Sequence, residues 1–216
     1  TNLGAHEIDI AQWVMDVKGP TAVSSSGGRF ALGGAGETPD TQDALFEYPG
    51  FTMMYSYREA SAGRRAGLGL EFCGTKGSMV IGRGGFQVFP DAKINPEDAI
   101  PVFQGQPAGG PQRSSATHTE TWTQEMKEKG SSDEQFALHA RNFVDCVKSR
   151  ERPIADVEGG HRVTTTCHLA NLSLRLGRKL RWDPEKEDFP GDAEASARLV
   201  RPYRKPWDKV LASFHL

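Results

Sequence analysis

The chain has 216 residues, of which 37% are hydrophobic and 25% charged, a composition typical of a folded protein rather than a disordered one. Its formal net charge of -2 gives no general attraction for nucleic acid, and no apolar run approaches the roughly 20 residues that span a bilayer. The three cysteines are widely separated, which suits a reducing compartment, and no C-x-x-C pair indicates a structural zinc site, so no metal ligand is predicted.

The first half of the chain predicts one helix followed by a series of strands. Ile8, Ala11 and Met15 recur at spacings of three and four, which predicts an amphipathic helix over 4–16. The pattern then predicts strands at 21–32, 43–48, 51–57, 67–73, 78–81 and 86–89. Short glycine-containing turns join several of these strands, so we expect an open, mainly antiparallel β-sheet.

The second half predicts a loop-rich insertion, two helices and a tail. The insertion covers about 90–132, with a short helical turn at 126–129. Ser132 is the predicted N-cap of a helix over 133–148, and a second helix over 156–176 ends at Gly177. His139 and His168 are expected in the core. A charged, extended tail occupies about 183–216, and the whole of 1–216 is predicted to form a single α+β domain with helices packed on one face of the sheet.

One predicted sheet face is a candidate for assembly. Phe51, Met53, Tyr55 and Tyr57 alternate along one strand and therefore share a face. An apolar sheet face left open is a good oligomer surface, so we predict a homodimer or tetramer formed through the sheet. The alternative is that this face packs against the chain's own helices.

Three separated segments carry a resemblance to a known family. They are NLGAHEIDIAQW at Asn2 to Trp13, GLGLEFCGTKGSMVI at Gly67 to Ile81, and a long run from His139 to Glu185 that is followed by RPYRKPW. In this order they resemble the C-terminal domain of the glucose–fructose oxidoreductase, inositol dehydrogenase and MocA family. The resemblance implies an α+β domain that partners an N-terminal Rossmann domain absent from this sequence. Because the chain begins at Thr1, we expect a fragment, a processed product or a separately made domain.

The family resemblance implies oxidation or reduction of a secondary hydroxyl on a sugar, a polyol or a related compound, with NAD or NADP. It places the family's motif histidine at His6, our candidate general base, and implies a partner lysine on the missing domain. Histidine suits this task because its unperturbed pKa, about 6.5, lies near working pH. Asp9 lies one helical turn further along the same face and is a candidate for orienting the imidazole.

Asn2 departs from the family pattern, because many members have an aspartate four residues before the histidine. The amide keeps an acceptor oxygen but loses the charge, so it can position a hydroxyl but cannot carry a proton. Two alternatives therefore stay open. One is a family variant that cleaves glycosides through transient oxidation, and the other is a non-catalytic binding or assembly domain.

Three further residues are candidates for substrate binding. Arg64 could contact an acidic or hydroxylated substrate, and His118 and Trp122 could cover a sugar ring. The alternatives are a solvated arginine and a loop without a ligand. No G-x-G-x-x-G follows a strand and opens a helix, so no cofactor-binding residue is predicted in this chain. Neither nucleic acid nor a membrane is an expected partner. A cytoplasmic location is expected, or an exported one if the missing N-terminus carries a signal.

Overall fold

The computed structural model describes residues 4–61, 69–93 and 120–212. Within these ranges the elements follow in the order α1 (Gly4–Val14), β1 (Ala22–Gly28), β2 (Thr41–Tyr48), β3 (Phe51–Arg58), β4 (Leu70–Gly74), β5 (Gly77–Gly82), β6 (Gly85–Pro90), β7 (Met126–Lys129), α2 (Ser132–Ser149), α3 (Val157–Leu176), β8 (Leu180–Arg181), α4 (Ala193–Ser196) and α5 (Trp207–Ala212).

Helix α1 buries one narrow face. Its buried residues are Gly4, Ile8, Ala11 and Gln12. Met15 was predicted on the same stripe, but the helix ends at Val14 and the Met15 side chain is exposed. The chain turns away at once, because Asp16 adopts a left-handed backbone with φ of 48°. The buried stripe is therefore completed by a polar residue, Gln12, rather than by Met15.

The first sheet contains four strands in the order β3-β2-β1-β8. All neighbouring pairs are antiparallel, and the β2–β3 hairpin turns at Pro49-Gly50, where Gly50 has φ of 88°. Glycine is favoured at this position because other residues rarely adopt a positive φ. The predicted hairpin is confirmed.

Helices α1 and α3 cover one face of this sheet. Val23, Phe46 and Met53 lie in register on that face. They pack with Ile8 of α1 and with a cluster from α3 that comprises Val163, Cys167, Leu169 and Ala170. Full burial of a large apolar side chain such as Ile8 or Phe46 contributes about 1.5–3 kcal/mol.

The core location of β3 corrects the predicted assembly face. Phe51, Met53 and Tyr55 pack against the hydrophobic core and do not form an open surface. The residues that alternate along β3 do share a face, and this face is the one that packs against the chain's own helices. The opposite face exposes Met54 and Leu45, which are cross-strand partners.

Part of the predicted tail belongs to the core. Trp182, Phe189 and Ala195 are buried, and the Trp182 and Phe189 rings meet edge to face with centroids 5.0 Å apart. Ion pairs connect this segment to the rest of the first unit, and they are Lys18–Glu185, His161–Glu187 and Arg178–Asp192. Beyond it, Tyr203 and Trp207 are exposed. The prediction of an extended tail from residue 183 is therefore wrong for its first part.

A second antiparallel sheet has the order β4-β5-β6-β7. The predicted Gly82–Gly85 turn joins β5 to β6. Residues 126–129 were predicted as a helical turn but form strand β7, because they pair with β6 from Gly85↔Lys129 to Val88↔Met126. Pairing across the sheet overrides the weak local helix preference of a four-residue segment.

The two long helices have well-defined ends. Ser131, rather than the predicted Ser132, caps α2 by accepting a hydrogen bond from the Glu134 N–H, and Asp156 caps α3. Gly177 ends α3 in a left-handed conformation, as predicted. His139 and His168 are exposed, so their predicted core placement is wrong. Phe136 and Phe143 of α2 are also exposed, which shows that its apolar stripe lies at the surface of this chain.

The chain divides into two compact units. One contains Thr1–Arg64 with Ile154–Leu216, and the other contains Arg65–Pro153. The α+β class and the antiparallel pairing are confirmed, but the strands form two four-stranded sheets instead of one open sheet. The single-domain boundary of 1–216 stays a prediction.

Among the described helices, none combines the length and the apolar character of a membrane-spanning segment. In the described ranges no group of three or more histidine, cysteine, aspartate or glutamate side chains is arranged to hold a metal ion.

Candidate functional site

His6 projects from the first turn of α1. The helix begins at Gly4, and the His6 side chain is exposed while Ile8 on the opposite side is buried. Asp9 and Trp13 are exposed at spacings of three and seven residues from His6, so the three side chains share the solvent face of the helix. A proton acceptor on this face is accessible to a ligand.

Asp9 is electrostatically coupled to His6. Crowding by neighbouring protein atoms raises the pKa of the Asp9 carboxyl above its usual value, although the residue keeps substantial surface exposure. The charge of His6 opposes this effect and lowers the pKa of Asp9. This effect agrees with the placement of the two side chains one helical turn apart on the same face of α1.

The Tyr55 ring contacts Gly4 at the start of α1. A Cβ atom built on Gly4 would lie 2.9 Å from the Tyr55 hydroxyl oxygen, so only glycine allows this approach without displacement of the ring. Burial raises the pKa of Tyr55 to about 12, with smaller contributions from Cys167 and Glu7. The hydroxyl group consequently stays protonated at neutral pH, close to the helix turn that presents His6.

The next row of side chains on the same sheet face is polar. Gln42 pairs with Gly27 on one side and with Tyr57 on the other. The Gln42 side chain is fully buried and its Nε2 donates to Ser25 Oγ over 3.0 Å, but its Oε1 has no hydrogen-bond partner among the described residues. An exchange of the amide oxygen and nitrogen would leave the nitrogen unpaired instead.

The loop between β1 and β2 is built around two charged side chains. The Asp40 carboxylate accepts hydrogen bonds from the backbone N–H groups of Phe30, Ala31 and Leu32. Led by the bond from Leu32, these interactions hold the pKa of Asp40 far below its ordinary value despite its burial. The Arg29 guanidinium donates to the carbonyls of Gly33 and Thr38. These hydrogen bonds connect the two ends of the loop to its middle.

The other predicted site residues are not brought to His6 by the described structure. Asn2, Arg64 and His118 lie outside the described residues. Trp122 belongs to the second compact unit, where its ring lies 5.9 Å from Lys93 Nζ and its backbone N–H donates to Asp91. Their binding roles stay predictions.

Tyr55, Tyr57 and Gln42 were not predicted as site residues. The alternation along 51–57 did place both tyrosines on one face, but it was interpreted as an assembly surface. Gln42 falls just before the predicted start of its strand at residue 43. Neither the contact with Gly4 nor the unpaired amide has a local sequence signal, because both depend on strand register.

The described residues do not form a dinucleotide site. Every described strand pair is antiparallel, and the glycine-rich turn Gly82–Gly85 joins two strands rather than a strand to a helix. A pyrophosphate requires backbone N–H groups at a helix N-terminus after a parallel strand. Among the described residues, no parallel strand leads through a glycine-rich turn into a helix.

The described residues form an antiparallel α+β fold in which helices α1 and α3 pack on one face of the first sheet. A family model described as the GFO/IDH/MocA C-terminal domain matches residues 1–80. A second, described as the C-terminal alpha/beta domain of the same oxidoreductase family, matches residues 114–209. This chain belongs to the C-terminal domains of the GFO/IDH/MocA oxidoreductase family.

Solved structures share the fold at low sequence identity. Levoglucosan dehydrogenase, in complex with NADH and levoglucosan, is 14% identical with a TM-score of 0.59, and the match covers 82% of this chain and 48% of that one. An NAD-binding oxidoreductase from Klebsiella pneumoniae is 15% identical with a TM-score of 0.57 and covers 82% and 48%. An oxidoreductase from Agrobacterium radiobacter, in complex with NAD+, L-tartaric acid and magnesium, is 13% identical with a TM-score of 0.54 and covers 82% and 47%.

The chain thus spans about half the length of the solved structures that it matches. No curated protein matches its sequence.

Proposed function

We propose that this chain is the substrate-binding half of a nicotinamide-dependent oxidoreductase that acts on a secondary hydroxyl of a sugar, a polyol or a related compound. His6 is the general base that removes the hydroxyl proton, and Asp9 orients its imidazole. The observation that carries the proposal is the exposure of His6 in the first turn of α1, one helical turn from the exposed Asp9 on the same face.

The reaction divides between two domains. When bound, the nicotinamide accepts the hydride from the substrate carbon. His6 accepts the hydroxyl proton, which requires contact through a hydrogen bond of about 2.6–3.2 Å in the complex. We assign NAD or NADP to an N-terminal Rossmann domain that approaches the exposed face of α1. The exposure of Trp13, 73%, on the same face as His6 supports a partner at this surface.

The substrate class is supported by a neighbour and by the family. Levoglucosan dehydrogenase was solved with levoglucosan, a ligand named for that protein alone. For the present chain, the group that we propose to contact a substrate hydroxyl is the Tyr55 phenol, which lies against Gly4 at the start of α1.

Cofactor reduction tests the proposal directly. The protein that carries both domains is incubated with NAD+ or NADP+ and a panel of sugars and polyols, and absorbance at the reduced nicotinamide band is followed. We expect reduction with at least one neutral polyol and none with the 216-residue chain alone. A two-domain protein that binds no cofactor would instead indicate a binding or assembly domain. Turnover without net cofactor reduction would indicate redox-assisted glycoside cleavage.

We also propose that the domain assembles as a homodimer or tetramer through the outer face of the first sheet. The support is the pair formed by Leu45 and Met54, which are exposed at 42% and 78% on that face. Met54→Glu is expected to convert the oligomer to monomer in light scattering. An unchanged mass for this variant would exclude the face.

A further inference from the structure

We propose that a small cavity lined by Arg162, Thr165 and Trp182 binds an oxyanion, either a carboxylate or a phosphate group. The cavity lies in the first compact unit, beyond the C-terminal end of α1, whereas His6 lies in the first turn of that helix. Binding of an anion at this place does not require the chemistry proposed for His6, and it goes beyond that chemistry.

Three parts of the chain meet at the cavity. Lys18 and Gly19 line it from the turn after α1, Arg162 and Thr165 line it from α3, and Trp182 and Glu187 line it from the segment after β8. The indole nitrogen of Trp182 is directed toward this turn, because Nε1 lies 4.0 Å from a Cβ atom built on Gly19. The cavity volume of about 10 Å³ is close to what one water-sized group needs. It therefore admits one oxygen atom of a ligand and excludes a sugar ring.

The Arg162 guanidinium is the charged group that the fold leaves unpaired here. The residue is half-buried, and its guanidinium has neither a hydrogen-bond partner nor an ion-pair partner within 4–61, 69–93 and 120–212. A guanidinium presents its N–H donors in a planar fork that matches the oxygens of a carboxylate or a phosphate. Because a partly desolvated charge without a partner is unfavourable, an oxyanion at this position would be stabilised.

The other charged groups at the cavity already have partners. Both oxygens of Glu185 accept hydrogen bonds from Lys18 Nζ, over 2.8 and 2.6 Å. Both oxygens of Glu187 lie 3.0 Å from His161 Nε2. The lining itself contains two cations, Lys18 and Arg162, and one carboxylate, Glu187. A ligand at the cavity would therefore meet a net positive charge, which favours an anion over a cation.

The neutral polar groups of the lining also favour a ligand that accepts hydrogen bonds. Thr166 Oγ1 is already occupied, because it accepts from Gln12 Nε2 over 2.7 Å and donates to the Arg162 carbonyl over 3.0 Å. The Thr165 hydroxyl and the Trp182 indole N–H have no hydrogen-bond partner in the part of the chain that the structure describes. Together with Arg162 they offer three kinds of donor to one ligand oxygen.

Thermal unfolding in the presence of small anions tests the site. Inorganic phosphate at about 50 mM and neutral pH should raise the unfolding midpoint of the 216-residue chain about 2–4 °C more than that of Arg162→Met, as expected for a Kd near 10 mM. The comparison between variants removes the general stabilisation that phosphate gives to folded proteins. Sodium chloride at equal ionic strength is the salt reference, and acetate replaces phosphate in a parallel series.

Arg175→Met is the matched control, because it removes an exposed arginine from the same helix. This variant should keep the full rise in the midpoint. Thr165→Val, which removes one donor and preserves the shape of the side chain, should lose at least about half of the rise. It gives an independent measurement if Arg162→Met does not fold.

The two anion series separate the outcomes. A larger specific rise with phosphate assigns a phosphate ligand and a larger one with acetate assigns a carboxylate, and either result supports an oxyanion site. An equal rise in the unmodified protein and in the Arg162 and Thr165 variants would overturn it. So would the absence of any rise above the sodium chloride reference with both anions.

Discussion

Asp40 is the residue whose electrostatic role is best defined by the structure. Its carboxylate satisfies three consecutive backbone N–H groups in the β1–β2 loop, at 3.0, 2.8 and 2.7 Å. These bonds favour the ionised form, so the pKa of Asp40 in the folded protein lies well below the value of 3.8 for an unperturbed aspartate. Folding and ionisation of Asp40 are therefore linked.

The sign of that linkage gives a pH-dependent prediction. A depressed pKa in the folded state contributes stability above pH 3.8, and this contribution is lost as pH falls below 3.8 toward the folded-state value. Asp40→Asn should therefore lower the thermal unfolding midpoint at pH 6, and the difference from the unmodified protein should shrink at pH 3. An equal difference at both pH values, measured by circular dichroism, would contradict the assigned role.

Sequence patterns identified candidate site residues that have a local signal. They missed residues whose position depends on the register of strand pairing. His6 was identified from a helix start and a family motif, and the structure places it at the exposed first turn. Tyr55 and Gln42 acquire their roles from partners that are distant in sequence, Gly4 and Ser25. The exposure of His139 and His168 could not be predicted either, because helical spacing alone does not say which stripe will find a packing partner.

At the scale of elements, a buried hydrogen-bond network joins α1 to its neighbours. Gln12 Nε2 donates to Thr166 Oγ1 of α3 over 2.7 Å and to the Tyr48 hydroxyl of β2 over 3.2 Å. Burial raises the pKa of Tyr48 to about 12, so its hydroxyl stays neutral. The network therefore anchors the helix that carries His6 to β2 and α3.

Loss of the Gln12 amide should destabilise this helix contact. Gln12→Ala leaves two buried hydroxyl groups short of a partner, which we expect to cost about 1–3 kcal/mol in urea unfolding. The control Gln124→Ala alters an exposed residue and should change the free energy of unfolding by less than about 0.5 kcal/mol. Equal stability of the two variants would show that the network does not hold α1.

The sequence predicts the boundaries of most helices and strands. It does not predict the type of every element. Turn residues at Pro49-Gly50 and Gly177 located a hairpin and a helix end, because both use backbone conformations that favour glycine. Strand β7 was mistaken for a helical turn because its MKEK sequence has little strand character of its own. Its conformation comes from pairing with β6, which no short-range pattern reveals.

For the whole molecule, the segment after α3 closes the core of the first unit. Phe189 is 1% exposed and packs edge to face on Trp182, although it lies in a charged stretch with little apolar periodicity. The sequence predicts a tail here because single apolar residues are separated by prolines, glycines and charged residues. The structure shows that residues up to Ala195 are part of the fold.

Truncation of Phe189 should therefore be costly. Phe189→Ala is expected to lower the free energy of unfolding by about 3–5 kcal/mol, because it removes a fully buried ring and leaves a cavity beside Trp182. Phe30→Ala removes the same side chain at a site that is 74% exposed and should cost less than about 0.5 kcal/mol. Denaturant unfolding followed by tryptophan fluorescence measures the free energy of unfolding of both variants. A cost below about 1 kcal/mol for Phe189→Ala would show that this segment does not contribute to the core.

The central claim is that His6 serves as the base of a site completed by a cofactor-bearing domain. It is tested most directly by kcat of His6→Ala in the two-domain protein, with cofactor affinity measured in parallel by fluorescence of the reduced nicotinamide. We predict a fall in kcat of about 10²–10⁴-fold with unchanged cofactor affinity. His161→Ala, which breaks only an exposed ion pair with Glu187, should retain full turnover. Unchanged kcat in His6→Ala would contradict the account.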